Sequence, residues 1–102
     1  MTITTVSLEI LEEFKDRMHL EGDGEDANLI RILTASATEL NRICGDYDIN
    51  IDEVFKELVF ERSRYVYNDA LEYFNKNFLW EINNLSMSKA LEEMQGDDDA
   101  AI

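Results

Sequence analysis

The stretch Ile51–Phe78, IDEVFKELVFERSRYVYNDALEYFNKNF, decides how the rest of the chain is read. It contains neither Gly nor Pro and is long enough for about seven helical turns. At about 100° per residue its apolar side chains divide into two stripes. Ile51, Val54, Phe55, Leu58, Val66 and Tyr73 form one; Phe60, Tyr67, Leu71, Phe74 and Phe78 form the other. A surface helix needs only one apolar stripe. Two stripes predict a long central helix covered on both sides. The second, aromatic stripe is covered either by the chain's own fold or by a partner, and periodicity does not choose between them.

Working outward, the 102 residues suit one domain with a modest core. There is no proline, and the four glycines (Gly22, Gly24, Gly45, Gly96) all fall between periodic stretches, so the pattern predicts an all-α bundle. The opening MTITTVSLEI lacks the basic start and apolar run of a signal peptide, and no stretch is apolar enough to span a membrane. A single cysteine, Cys44, excludes an internal disulfide and fits a reducing cytoplasm. A net charge of −14 repels nucleic acid and anionic membrane. The one place near DNA that such a charge suits is the wall of a channel through which DNA slides without sticking.

Along the chain, residues 1–6 read as a loose arm. A first helix is expected over 7–20, capped by Ser7, with Ile10, Leu11, Phe14 and Met18 on one face. His19 falls at its end, with no second His or Cys nearby to build a metal site. A second helix over 24–44 carries Leu29, Ile32, Leu33, Ala37, Leu40, Ile43 and Cys44, with Asp23 as its cap. Ser36 is small enough to let another helix approach, and Gly45 is expected to end the helix in the left-handed conformation. After the long helix, Asn75–Asn84 reads as a looser segment carrying Trp80, which anchors onto the core or an interface. A short last helix over 86–95 opens at Ser86 or Ser88 and places Met87, Ala90, Leu91 and Met94 on one stripe. Residues 96–102 read as an acidic flexible tail.

No catalytic constellation is legible. Cys44 and His19 lack an orienting third group, and the carboxylates fall on caps and solvated faces where no pocket raises a pKa. Asp46, Asp48, Asn50, Asp52 and Glu57 stand at the ligand offsets of a calcium-binding EF-hand loop. Its sixth position, however, is the β-branched Ile51, where the sharp turn demands Gly, and its eighth is Glu53, where an apolar residue belongs. The segment is therefore read as a turn with Asn50 or Asp52 capping the next helix. Arg62 and Asp69 fall near the first stripe but two turns apart, so they do not pair. Arg62 and Arg64, beside Tyr65 and Tyr67, are too few among so many acids for a nucleic-acid patch. No cofactor and no metal is expected.

Several segments taken together do resemble a known family. They are a short helix (Leu11, Phe14, Met18, Leu20) ending in an acidic Gly-containing turn, the opening Glu25-Asp26-x-x-Leu29-Ile30, and Ala37-x-x-Leu40 before the stop at Gly45. The aromatics Tyr65, Tyr67, Tyr73 and Phe74 follow, then Phe78-Leu79-Trp80-Glu81-Ile82-Asn83-Asn84-Leu85-Ser86. This order, over Leu8–Met94, resembles the head-to-tail connector proteins, or portal adaptors, of siphophages of Gram-positive hosts. Ile43-Cys44 and Asn68-Asp69 depart from that family's pattern. The resemblance implies a virion structural protein without catalysis, made in the host cytoplasm. Its copies would form a homo-oligomeric ring, twelve to match a portal. The ring would contact the portal protein above and a stopper or tail-completion protein below, and would pass DNA through its channel without sequence-specific binding. It also implies that the C-terminal segment engages the portal. On that reading Phe60, Arg64, Tyr67, Leu71 and Phe74 are assigned to subunit or portal contact, and Met87, Leu91 and Met94 to portal docking. The alternative is a small acidic helical regulator or DNA mimic that fills a basic groove on a partner.

Overall fold

A computed structural model describes the backbone of residues 6–101 and the side chains of residues 6–94. The arm expected over residues 1–6 lies outside it except for Val6, which packs against the core. Five α-helices follow one another: α1 Leu8–Met18, α2 Asp26–Cys44, α3 Glu53–Tyr67, α4 Phe74–Asn77 and α5 Leu79–Ala101, with a 3-10 turn Leu71–Tyr73 ahead of α4. No strand occurs among the described residues, so the chain is an all-α bundle.

The central helix is α2, not the stretch 51–78; α1, α3 and α5 all pack on it. Its buried face is Leu29, Leu33, Ser36, Ala37, Leu40, Asn41 and Cys44, a stripe at three- and four-residue spacing. Phe14 of α1 meets Phe60 of α3 across it, ring centroids 5.5 Å apart. Small residues at fully buried positions, Ser36 on α2 and Ser63 on α3, let the two helices close up. Arg62 Nη1 donates to Ser36 Oγ (3.1 Å), and burial pushes its pKa down from the usual arginine value.

The long helix is broken after Tyr67. Asp69 takes the left-handed conformation (φ 56°); its N–H donates to Val66 O (3.1 Å), and Ala70 N–H donates to Tyr65 O (2.8 Å). These two bonds are the paired closure of a Schellman motif, here without glycine. Asn and Asp tolerate the left-handed region better than other non-glycine residues. Their short polar side chains also compete with helical backbone bonds, which weakens a helix through Asn68-Asp69. The same closure ends α1 at His19 (φ 58°), where His19 N–H reaches Asp16 O and Leu20 N–H reaches Lys15 O. The first helix thus stops two residues before the predicted end, ahead of the glycines.

Other boundaries also shift. Ser7 Oγ accepts from Ile10 N–H (3.2 Å) and Asp52 Oδ1 from Phe55 N–H (2.9 Å), the expected capping bonds of α1 and α3. Asp23 does not cap α2 with its side chain; Glu25 holds that position and makes no side-chain cap bond. Gly45 has positive φ but an extended ψ (105°, 177°), so it is not the left-handed residue expected there. A Cβ at Gly45 would also lie 2.5 Å from Lys89 Cγ, so glycine is needed for the backbone and for the approach of α5. The short 86–95 helix is the middle of α5, which begins at Leu79 and takes in most of the predicted acidic tail.

The segment after the break folds back by aromatic contact. Phe74 is fully buried, stacked on Phe78 at 5.0 Å and met edge-on by Tyr65 at 5.7 Å. Further along, α5 is pinned to α2 and the loop after it by three bonds. Tyr47 Oη donates to Leu85 O (2.7 Å), Ser86 Oγ to Ile43 O (3.2 Å), and the Cys44 thiol to Ile82 O (3.7 Å). Lys89 Nζ lies 4.4 Å from the centre of the Tyr47 ring.

Two outcomes test this account. Replacing Asp69 with Gly removes the left-handed penalty and should leave stability equal or higher; Val at the same position should cost about 1–2 kcal/mol. A gain in helical circular dichroism with Asp69→Val would mean that 51–78 can run straight. The second outcome concerns acid. Arg17 donates to both carboxylate oxygens of Glu57, each at 2.6 Å, joining α1 to α3. That pairing, against partial burial, holds the Glu57 carboxyl below the usual carboxylate range. A depressed folded-state pKa stabilises the fold above the unfolded value of about 4.3, and the contribution is lost as pH falls through the folded value. Glu57→Gln should therefore lower the melting temperature slightly at neutral pH, and the gap to wild type should close below pH 4 or so. A gap that is the same at both pH values would mean the ion pair contributes nothing.

Candidate functional site

The five residues assigned from the second stripe are not one surface. Phe60 (1% exposed) and Phe74 (0%) belong to the hydrophobic core: Phe60 packs against Phe14 of α1, and the break at Asp69 folds Phe74 back onto Tyr65. They are removed from the interface. Arg64 sits at the surface, its Nε donating to Glu61 (3.0 Å) and its guanidinium 5.4 Å from the Tyr65 ring centre. Tyr67 is half-buried and its Oη donates to Glu25 Oε2 (2.8 Å), tying the end of α3 to the start of α2. That hydrogen bond raises the Tyr67 pKa. Leu71 is 40% exposed in the turn beyond. The first stripe is divided as well: Phe55 and Leu58 are core, while Ile51, Val54 and Tyr73 are exposed.

Met87, Leu91 and Met94 stand on the open side of α5. Trp80 precedes Met87 by seven residues, two turns of helix, and is 73% exposed. Trp80, Met87, Leu91 and Met94 therefore form a single apolar stripe on α5. The buried face of the same helix, Ile82 and Leu85, is turned toward α2. No residue from Ala90 to Met94 is buried, though Glu92 still borders the cleft beside Tyr47 and Asp52. The molecule measures 55 × 28 × 20 Å along its principal axes. Trp80 is thus not part of the described core. The sequence does hold the signal for it, since positions 80, 87, 91 and 94 keep helical register with no Gly or Pro between them.

The remaining candidates have structural roles. Asp48 Oδ1 accepts from Asn50 N–H (2.9 Å) and Asp52 caps α3, so two carboxylates of the EF-hand-like spacing are engaged with backbone. Among the described residues no three His, Cys, Asp or Glu side chains converge to hold a metal ion. Cys44 is buried, and desolvation pushes its thiol pKa up, the direction that suppresses the nucleophilic thiolate. His19 is exposed at the end of α1. No described helix is long and apolar enough to cross a membrane. No protein-family model, curated protein or solved structure matches the chain.

Core and surface assignments separate in one experiment. Phe74→Ala should destabilise the free protein by about 3–5 kcal/mol, whereas Leu71→Ala and Met87→Ser should change it by less than about 0.5 kcal/mol. A mild Phe74→Ala, read by chemical denaturation, would mean that the aromatic fold-back is not part of the core.

Proposed function

We propose that the protein is an architectural adaptor of a phage head-to-tail connector. It would dock under a portal ring, extend the DNA channel and offer the next surface to a stopper or tail component, without catalysis. The observation that carries this reading is the apolar stripe Trp80–Met87–Leu91–Met94 on a helix whose described residues beyond Lys89 are all exposed. Such a stripe exposes surface whose burial is favourable, and methionines adapt to irregular partner surfaces. A net charge of −14 suits a conduit that DNA must leave freely. In an assembled ring the stripe would meet the portal, and the surface around Arg64, Tyr67 and Leu71 would meet a neighbouring copy.

The rival, an acidic regulator that mimics DNA, has one feature in its favour. Glu9, Glu12, Glu13 and Asp16 line a shallow depression along α1. The row spans only eight residues, about 10 Å of helix, and Glu13 is already paired with Lys56 at 2.8 Å.

Co-sedimentation with isolated portal rings and with tail-less, DNA-filled heads tests the proposal. Near-stoichiometric binding is expected. It should be lost on truncation after Lys89, which keeps every described buried residue of α5, and in Met87→Ser/Leu91→Ser/Met94→Ser. Binding that survives both changes would move the docking surface away from α5. No binding to portal-bearing particles of the phage that encodes the chain would overturn the adaptor reading and favour the acidic regulator.

A further inference from the structure

Between the first half of α3 and the middle of α5 the surface is cut by two adjoining clefts, of about 240 and 390 Å³. They share Val54, Glu81 and Leu85, so they form one furrow. Its apolar floor contains Leu58 and Leu85, both buried, and the half-buried Phe78. Val54 and Trp80, 62% and 73% exposed, stand along it. Each cleft holds the exposed apolar area that an apolar side chain would cover.

The charge around the furrow has one sign. Glu57, Glu61 and Glu81 line the first cleft and Asp52, Glu81 and Glu92 the second, while no Lys or Arg lines either. Arg17 and Arg64 answer Glu57 and Glu61 from outside, Lys89 approaches Glu92 at 3.5 Å, and Asp52 caps α3. The side-chain carboxylate of Glu81, common to both clefts, has no hydrogen bond or ion pair with any described residue. An apolar trough under an unanswered carboxylate is complementary to an apolar side chain next to a cation.

We infer that this furrow is a docking site for a cationic amphipathic helix of a partner protein. Its apolar side chains, three and four residues apart, would seat on Val54, Leu58, Phe78 and Leu85, and Lys or Arg on its flanks would meet Glu81 and Asp52. The α5 side from Phe78 to Glu92 is about 21 Å long, room for roughly four helical turns. A second copy of this chain is the wrong occupant: each carries −14, and its own exposed apolar stripe is flanked by Glu92 and Glu93. Nucleic acid is repelled by the same field. Met87, Leu91 and Met94 line neither cleft, so the furrow shares only Trp80 with the proposed portal-docking stripe and does not rest on that reading.

Trp80 is the only tryptophan, so its fluorescence reads the furrow directly. The probe is a synthetic helical peptide of about four turns, with Leu along one face and Lys on both flanks. Its controls are a scrambled peptide of the same composition and a version with every Lys replaced by Glu. Titration at low salt should shift Trp80 emission to the blue, and added salt should weaken binding as the charges are screened. Glu81→Lys and Val54→Asp, both at exposed positions and checked for helical content, should each weaken binding by about tenfold. Met87→Ser/Leu91→Ser/Met94→Ser should leave it unchanged. An absent Trp80 response, equal binding by the scrambled or Glu-flanked peptide, or undiminished binding by Glu81→Lys would overturn the inference. None of these results depends on whether the protein binds a portal.

Discussion

The left-handed turn at Asp69 is the constraint on which the rest of the structure depends. Its two backbone bonds stop α3 at Tyr67 and reverse the chain, so that Phe74 and Phe78 return to Tyr65. Without that reversal the aromatic half of the segment would project straight from α3, and α5 would have no route back to α2. The turn carries a conformational penalty of about 1 kcal/mol, small against the burial of Phe74 that it makes possible. Burying one such side chain is worth about 1.5–3 kcal/mol, before the ring contacts among Tyr65, Phe74 and Phe78 are counted.

A second contact sets where α5 lies. The loop after α2 is not a solvated connection, because Tyr47 and Ile49 are buried in it. Tyr47 stacks on Phe55 at 5.4 Å, receives Lys89 on its ring and donates its hydroxyl to a carbonyl of α5. Burial pushes the Tyr47 phenol pKa up, which keeps it a neutral donor across the physiological range. One side chain thus joins α3 and α5 from a loop between α2 and α3. Gly45 completes the arrangement by leaving the space that Lys89 fills.

Much of this was legible in the sequence, and the failures have identifiable causes. Most of the α2 stripe stands as read from spacing, because a single apolar face admits one packing direction: Leu29, Leu33, Ala37, Leu40 and Cys44 are buried, while Ile32 and Ile43 lie half-buried at its edges. The capping residues Ser7 and Asp52 were legible for the same local reason. The stretch 51–78 was misread because two apolar stripes in register look the same whether a helix is straight and covered twice or broken and folded onto itself. The signal that separates the cases was Asn68-Asp69, weak helix formers able to take positive φ. At His19 too, the absence of glycine hid a left-handed residue. Phe74 was placed on an outer surface because aromatic periodicity does not reveal which way a broken helix turns, and Phe60 because periodicity does not show that α1 brings Phe14 onto it. Tyr47 could not be assigned to the core, since its neighbours Asp46 and Asp48 make the local sequence look solvated.

The geometry of α5 also bears on how such a small chain can present a docking helix at all. An isolated helix of a few turns is marginal in water, because its nucleus fixes several residues for one hydrogen bond. Here nucleation is complete where Ile82, Leu85 and Ser86 are held against α2 and its loop, so the turns that carry Leu91 and Met94 need only propagation. An apolar stripe displayed this way is ordered before it meets a partner, which reduces the ordering cost of association. The same economy applies on the neighbouring side of the helix, where Leu85 faces the furrow that Glu81 rims. A net charge of −14 opposes association of free copies through these surfaces, a repulsion that ring assembly would have to outweigh. On the proposed readings, association would need a partner that supplies cations together with its apolar contacts, and charge would help select what the two faces of α5 accept.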